Sequence, residues 1–140
     1  MKWTYRCPKC NAHLNPAEDH IVLLGECEQG KGLMVFASRP GDYGLHHAAE
    51  LEVVEGAEWR FSCPVCRADL ATEATEVEGA EERKLAVVTM TDARGGEHRV
   101  LFSRIAGEKA TFVVSAEGVV LERFGEHQMR YQGMVWMKYF

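Results

Sequence analysis

Two stretches of the chain, 56 positions apart, repeat one pattern of residue types. Residues 3–14 read WTYRCPKCNAHL and residues 59–70 read WRFSCPVCRADL. Six of the twelve aligned positions are identical, and the third position is aromatic in both stretches. The shared pattern is W-x-aromatic-x-C-P-x-C-x-A-x-L, which is too specific to be a chance match. It predicts that both stretches fold in the same way.

Each stretch contains two cysteines in a C-P-x-C turn. Trp and the aromatic residue are two positions apart, so their side chains share one face of a strand that enters the turn. Proline fixes φ, so closing the turn costs little entropy. Two such turns supply four sulfur atoms, the tetrahedral set that zinc prefers in closed structural sites. We therefore predict that Cys7, Cys10, Cys63 and Cys66 bind one zinc ion per chain.

The same thiols allow two other interpretations. A single iron ion would use the same four ligands and could transfer electrons. Two independent redox C-x-x-C motifs would each need a strand-to-helix junction in a βαβ unit, a setting that the sequence does not indicate. The fifth cysteine, Cys27, lies between Glu26 and Glu28. Neighbouring negative charge disfavours its thiolate, so we interpret Cys27 as a bystander.

The paired C-P-x-C turns resemble the knuckles of zinc-ribbon and rubredoxin-like domains. We call residues 3–14 the first knuckle and residues 59–70 the second knuckle. The resemblance covers these two stretches and implies a metal site, not an activity. Members of that class often carry glycine after the second cysteine, whereas this chain has Asn11 and Arg67. The layout of the whole chain is also similar to that of small bacterial zinc-ribbon proteins.

The rest of the sequence favours strands and turns. Residues 21–26 and 33–38 predict a hairpin between the knuckles, and apolar runs alternate with glycine-containing turns over residues 85–124. We predict a mainly β fold with two parts. Residues 1–75 form a zinc-ribbon-like, four-cysteine zinc-binding domain with inserted β-hairpins, and residues 84–140 form a small C-terminal β-rich module.

Three further segments carry weaker signals. Asn15 followed by proline is typical of a helix N-cap. Residues 72–83 hold five glutamates and one arginine, which indicates a solvated linker or, alternatively, an acidic docking surface. The apolar residues 134–140 predict a closing strand, or a partner-binding segment if that strand is unpaired.

Composition and charge restrict the class of protein. The 140 residues are 46% hydrophobic and 26% charged, which is typical of a folded chain. The formal net charge of −5 disfavours indiscriminate nucleic-acid binding. Residues 1–7 contain no apolar segment of the kind found in secretory signals, and no apolar run approaches the roughly 20 residues that span a bilayer, so we expect no secretory signal. We therefore expect a cytoplasmic protein that makes no membrane contact.

No phosphate-binding, dinucleotide-binding, metalloprotease or nucleophile-elbow motif is present in the sequence. The histidines show no partner motif either. His13 aligns with Asp69, so we predict that both lie at the surface. The adjacent His46 and His47 are candidates for binding a metal or an anion, but an adjacent pair rarely points both rings at one centre. His127 would act as a general base only if a cleft enclosed it.

These observations predict a non-enzymatic adaptor or regulatory protein. In it, a structural zinc site of four cysteines presents a surface that binds another macromolecule, with a protein as the favoured partner. One alternative is a thiol redox or zinc-release sensor. Another is a nucleic-acid- or ribosome-associated zinc ribbon, in which Trp3, Tyr5, Trp59 and Phe61 would stack on bases.

Overall fold

The computed structural model describes residues 3–15, 20–28, 30–47, 53–71, 85–116 and 120–127. Within these ranges the chain forms nine strands and no helix, which confirms the predicted mainly β class. The strands are β1 (Thr4–Arg6), β2 (His20–Cys27), β3 (Gly30–Ala37), β4 (Leu45–His47), β5 (Arg60–Ser62), β6 (Leu85–Thr91), β7 (Glu97–Ser103), β8 (Thr111–Ser115) and β9 (Val120–Phe124). The acidic residues 72–83 and the apolar residues 134–140 lie outside the described ranges.

The strands form two antiparallel sheets. The four-stranded sheet has the order β4-β3-β2-β5, and the five-stranded sheet has the order β1-β6-β7-β8-β9. The predicted hairpin between the knuckles is β2–β3, in which Leu24 lies opposite Leu33. A second long hairpin, β6–β7, occupies the equivalent place in the other sheet, with Val88 opposite Val100. Alternating apolar residues place one face of each hairpin in the core.

Each knuckle strand pairs with the hairpin that follows the other knuckle. The first knuckle precedes β2–β3, yet its strand β1 pairs with β6, where Tyr5 lies opposite Met90. The second knuckle precedes β6–β7, yet its strand β5 pairs with β2, where Phe61 lies opposite Gly25. The two knuckles therefore exchange strands between the sheets, and neither sheet is built from one half of the chain alone.

The structural repeat is longer than the twelve residues that the sequence shows. After the first knuckle, Val22 N donates to Leu14 O at 2.7 Å; after the second, Val87 N donates to Leu70 O at 2.8 Å. A third antiparallel strand follows each hairpin, β4 beside β3 and β8 beside β7. The chain is thus two copies of one knuckle–hairpin–strand unit, with β9 added to the second copy.

The main core lies between the two sheets and includes residues of both knuckles. Leu23 and Met34 of the four-stranded sheet belong to one buried cluster with Val88 and Val100 of the five-stranded sheet. The predicted domain parts, residues 1–75 and 84–140, therefore share a core.

The turn between β6 and β7 is organised by the carboxylate of Asp92. Its Oδ1 accepts hydrogen bonds from the backbone N–H groups of Arg94 at 2.9 Å and Gly96 at 2.8 Å. Its Oδ2 lies 3.0 Å from Nε2 of His98. The hydrogen bond to His98, together with these N–H groups, holds the pKa of Asp92 below its ordinary value of 3.8.

We predict that Asp92 contributes to acid stability. A carboxyl group whose pKa is lowered on folding stabilises the folded chain above the unfolded pKa and loses that contribution as the pH falls through the folded pKa. Below pH 3.8, the free energy of unfolding of Asp92→Asn should therefore decrease less steeply with falling pH than that of the wild type. Urea titrations at a series of pH values measure this difference. Asp42→Asn, in a different turn, is the control. Equal acid slopes for wild type and Asp92→Asn would contradict the prediction.

Candidate metal centre

Both knuckles close with the same backbone hydrogen bond. Asn11 N donates to Cys7 O at 2.9 Å, and Arg67 N donates to Cys63 O at 2.9 Å. Asn11 and Arg67 both have φ of 65°, in the left-handed region that favours glycine. Although this chain lacks glycine at both places, the second knuckle adopts the same turn as the first.

The chain then returns alongside the strand by which it entered. Cys7 N donates to Ala12 O at 3.0 Å, and the equivalent bond from Cys63 N to Ala68 O is 3.1 Å. One step further, Leu14 N and Leu70 N each donate to the carbonyl of the knuckle strand at 2.8 Å. Leu14 and Leu70 are buried beneath the turns. The shared Leu of the sequence pattern therefore holds each turn on the core.

Backbone N–H groups point at the first sulfur of each turn. The N–H groups of Lys9 and Cys10 donate to Cys7 Sγ at 3.3 and 3.4 Å. In the second knuckle, N–H groups donate to Cys63 Sγ at 3.3 and 3.5 Å. These donors stabilise negative charge on sulfur, which a metal-bound thiolate needs. Cys7 and Cys63 are buried, whereas Cys10 and Cys66 are exposed.

The four sulfur atoms of the two knuckles converge. They lie within 4.8 Å of one another, although the two pairs are more than 50 residues apart in sequence. Across the knuckles, Cys7 Sγ is 3.8 Å from Cys66 Sγ, and Cys10 Sγ is 3.7 Å from Cys63 Sγ. Four sulfurs arranged tetrahedrally around an ion at about 2.3 Å are about 3.8 Å apart. The residues present therefore fit one tetrahedral metal ion.

Two thiols of this cluster, those of Cys7 and Cys10, hold their protons more firmly than an ordinary cysteine when no cation is bound. The pKa of Cys63 is lowered instead: desolvation raises it, but hydrogen bonds from the N–H groups of Cys66 and Val65 and from the neighbouring thiols lower it by more. Burial raises the pKa of the Cys7 thiol. The pKa of Cys10 rises to about 12: the N–H of Ala12 lowers it, but desolvation and the neighbouring thiols of Cys63 and Cys66 raise it by more. A cation must displace these protons, so metal binding to this site releases protons and weakens as the pH falls.

None of the other candidate residues belongs to this cluster. His13 is exposed, as predicted, and forms an isolated bridge with Arg6. Cys27 packs against the main core. His46 lies at the surface with its ring centroid 6.0 Å from that of His20. His127 has a structural contact, because its Nδ1 accepts a hydrogen bond from Lys109 N at 2.9 Å.

The knuckle aromatics lie in the core. Tyr5, Trp59 and Phe61 are 0%, 2% and 4% exposed, and Trp3 packs against the same cluster. Burial takes the first three side chains out of reach of a nucleic-acid base. The base-stacking role considered from the sequence is therefore not supported, and these side chains instead anchor the knuckle strands.

Two residues that position the knuckle strands were missed from the sequence. Asn15, interpreted above as a helix N-cap, donates through Nδ2 to Trp3 O at 2.8 Å and accepts from Tyr5 N at 2.9 Å. The buried Arg104 donates to Trp59 O at 3.3 Å, and its backbone carbonyl accepts from Trp59 N at 2.7 Å. The Asn-Pro pair marked Asn15 in the sequence, but only the fold shows its role. No sequence signal distinguished Arg104.

Comparisons with known proteins leave the knuckle geometry as the main guide to function. No protein-family model, no curated protein and no solved structure matches the chain. The resemblance to zinc-ribbon knuckles thus rests on the sequence pattern and on the cysteine cluster. The described part of the chain contains no helix that is long and apolar enough to cross a membrane.

The left-handed residue of the second knuckle provides a test of this geometry. An L-residue other than glycine pays about 1–2 kcal/mol in that conformation, and asparagine pays less than arginine. We expect Arg67→Gly to raise the free energy of unfolding by about 0.5–1 kcal/mol after glycine's larger entropy loss. Asn11→Gly, the matched variant, should change it less. Denaturant titration measures both, and destabilisation by Arg67→Gly would contradict the turn conformation.

Proposed function

We propose that this protein is a non-enzymatic zinc-binding adaptor or regulatory protein, in which a structural zinc ion held by four cysteines fixes a surface that binds another protein. The observation that carries the proposal is the convergence of four sulfur atoms from two equivalent knuckles. Four protein ligands complete a tetrahedral zinc site and leave no position for a reacting water or substrate. The ion would then serve the fold and not a reaction.

Zinc is the metal that best suits this donor set. A closed tetrahedron of four thiolates is typical of structural zinc sites, and the spacing of 3.7–3.8 Å between sulfurs of different knuckles agrees with zinc–sulfur bonds. A single iron ion would accept the same geometry. Elemental analysis of the purified protein separates the two metals directly.

The surface beside the proposed zinc ion suits a protein partner. We call Pro8, Lys9, Pro64 and Val65, the residues between the paired cysteines, the knuckle surface. Val65 is 67% exposed, the largest value among the exposed large hydrophobic side chains of the described residues. Pro64 before it and metal coordination by Cys66 after it would hold this side chain in place, so binding to it would cost little conformational entropy. The net charge of −5 favours partners with a basic surface.

A binding experiment with matched variants tests the proposal. The zinc-loaded chain is used to capture partners from extracts of its native cells, and a captured protein is then purified and titrated against the chain. Val65→Glu should weaken that binary interaction, whereas Leu33→Glu, at another exposed apolar position, should not. The absence of any specific partner, or equal effects of both variants, would contradict an adaptor that uses the knuckle surface.

A second candidate function is a thiol redox or zinc-release sensor. It is favoured by the exposure of Cys10 and Cys66, whose sulfurs lie 3.7 and 3.8 Å from Cys63 Sγ and Cys7 Sγ. Hydrogen peroxide would accept two electrons from a pair of thiolates and two protons from solvent, forming one disulfide and two waters and freeing the ion. Mild peroxide treatment tests this candidate. Zinc that stays bound in an unchanged fold would eliminate it.

A further inference from the structure

The five-stranded sheet buries side chains on both of its faces. All five residues of β8 are buried. Val113 of this strand faces the main core, so its neighbours Phe112 and Val114 face outward, because successive side chains of a strand alternate. The outward residues form a second buried cluster, in which each side chain is 0–1% exposed: Leu85, Leu101, Ala110, Phe112 and Val114. We call these five residues the outer cluster.

Neighbours within the same sheet are not enough to bury the outer cluster. A side chain on an open sheet face is accessible from above, as on the four-stranded sheet, where Leu33 is 55% exposed although it lies opposite Leu24. Within the part of the chain that the structure describes, Val87 is the one partly buried hydrophobic residue that packs against the outer cluster, and it belongs to the same sheet. The 1% exposure of Phe112 therefore requires a further layer of chain over this face.

Two segments of this chain are candidates for the covering layer. The burial is that of a single chain, so no second copy contributes to it. Outside the described ranges, the two segments longer than five residues are 72–84 and 128–140. Residues 72–84 contain five glutamates, and Val77 is their one large apolar residue, so covering an apolar face with them would bury charge. Eight of the 13 residues at 128–140 are large and apolar, which suits the outer cluster.

The described part of the second repeat unit ends beside the outer cluster. His127 N donates to Lys109 O at 2.8 Å, and Lys109 N donates to His127 Nδ1 at 2.9 Å. Lys109 directly precedes Ala110 of the outer cluster, so the segment that follows His127 leaves from the edge of the covered face. A five-residue strand such as β8 is about 17 Å long, and 13 extended residues span up to about 40 Å. The segment 128–140 is therefore long enough to cross the face.

We infer that the outer face of the five-stranded sheet is the docking site of the chain's own C-terminal segment, residues 128–140, whose apolar side chains pack on the outer cluster. Pairing of this segment with the open edge of β9 would not be enough, because a strand at that edge leaves the face over β7 and β8 uncovered. The contact goes beyond the proposed adaptor function, since the outer cluster contains no knuckle residue. Burial of apolar surface here would stabilise the folded chain.

Nuclear Overhauser spectroscopy of the full, zinc-loaded chain tests the inference. We expect the ring protons of Phe112 to show contacts with side-chain protons of residues 128–140. Isotope filtering of a mixture of labelled and unlabelled chains detects contacts between two chains, and it should detect none of these. Contacts of Phe112 with residues 72–84 in their place, contacts that join two chains, or no contact with residues 128–140 would overturn the inference.

Matched variants of the two candidate segments give an independent measure. Trp136→Glu places a charge in the C-terminal segment and should raise the equilibrium constant of unfolding at least about tenfold, the effect of uncovering one large apolar side chain. Val77→Glu also replaces an apolar residue with glutamate, within residues 72–84, and should leave that constant unchanged. Denaturant titration measures both. Equal effects, or a larger effect of Val77→Glu, would overturn the assignment; the contacts measured on the wild type decide it if Trp136→Glu does not fold.

Discussion

Removing the ion proposed for the cysteine cluster should unfold the two knuckles and, with them, the core between the sheets. Binding of structural zinc contributes about 10–16 kcal/mol in small zinc-finger peptides, as much as or more than the roughly 5–15 kcal/mol that stabilises a typical domain. Strands β1 and β5 are only three residues long, and each pairs with a hairpin of the other unit. Without the ion, little would hold these exchanged strands, although they carry Tyr5 and Phe61 into the core.

The matched test compares two cysteine variants. Cys7→Ser removes one ligand of the cluster, and Cys27→Ser changes the one cysteine outside it. We expect Cys7→Ser and chelator-treated wild type to lose the near-ultraviolet circular dichroism of the core aromatics and the dispersion of amide NMR signals. Cys27→Ser should keep both. A chelated chain with an intact spectrum would contradict the structural role of the metal.

Truncation of Trp59 should give the second large loss. Trp59 is 2% exposed and packs so closely on β2 that a Cβ placed at Gly25 would lie 3.2 Å from its Cε3. Replacing a buried tryptophan with alanine costs about 3–5 kcal/mol, because the surrounding side chains only partly fill the space. We therefore expect Trp59→Ala to leave a folded chain that unfolds at much lower denaturant concentration.

The repeat supplies the control for that experiment. Trp3 occupies the same position of the first knuckle but is only partly buried. Trp3→Ala should therefore cost less than Trp59→Ala in denaturant unfolding of the metal-loaded chain. Trp59→Phe should also cost less than the alanine change, because it keeps the aromatic packing and removes a buried indole N–H that has no hydrogen-bond partner among the described residues. Equal costs for the two alanine variants would contradict the different roles assigned to these residues.

The knuckles were predictable because their chemistry is local. The C-P-x-C spacing places two sulfurs in one turn, and its repetition 56 residues later supplies the other two. The hairpin β2–β3 was predictable as well, since the strands expected over residues 21–26 and 33–38 lie within β2 and largely within β3. For these elements, neighbouring residues determine the structure.

The exchange of strands was not predictable, because the two knuckle strands carry the same pattern. Each has tryptophan followed two positions later by another aromatic residue. By this pattern alone, either knuckle strand is equally suited to join either sheet. The remainder of the structural repeat shares only its alternation of buried and exposed side chains. Leu23 corresponds to Val88, and Met34 corresponds to Val100. Apolar residues exchange freely at such positions if volume is conserved, so the sequences diverge while the fold is kept.

X-ray absorption of the purified chain at the zinc edge, combined with elemental analysis, tests the central claim most directly. Four sulfurs from two knuckles should give one zinc per chain, with a single shell of four sulfur neighbours at about 2.3 Å. Cys7→Ser should remove one sulfur from that shell or abolish metal binding, and Cys27→Ser should leave the shell intact. A folded chain that contains no metal, or an ion bound to fewer than four sulfurs in the wild type, would contradict the claim.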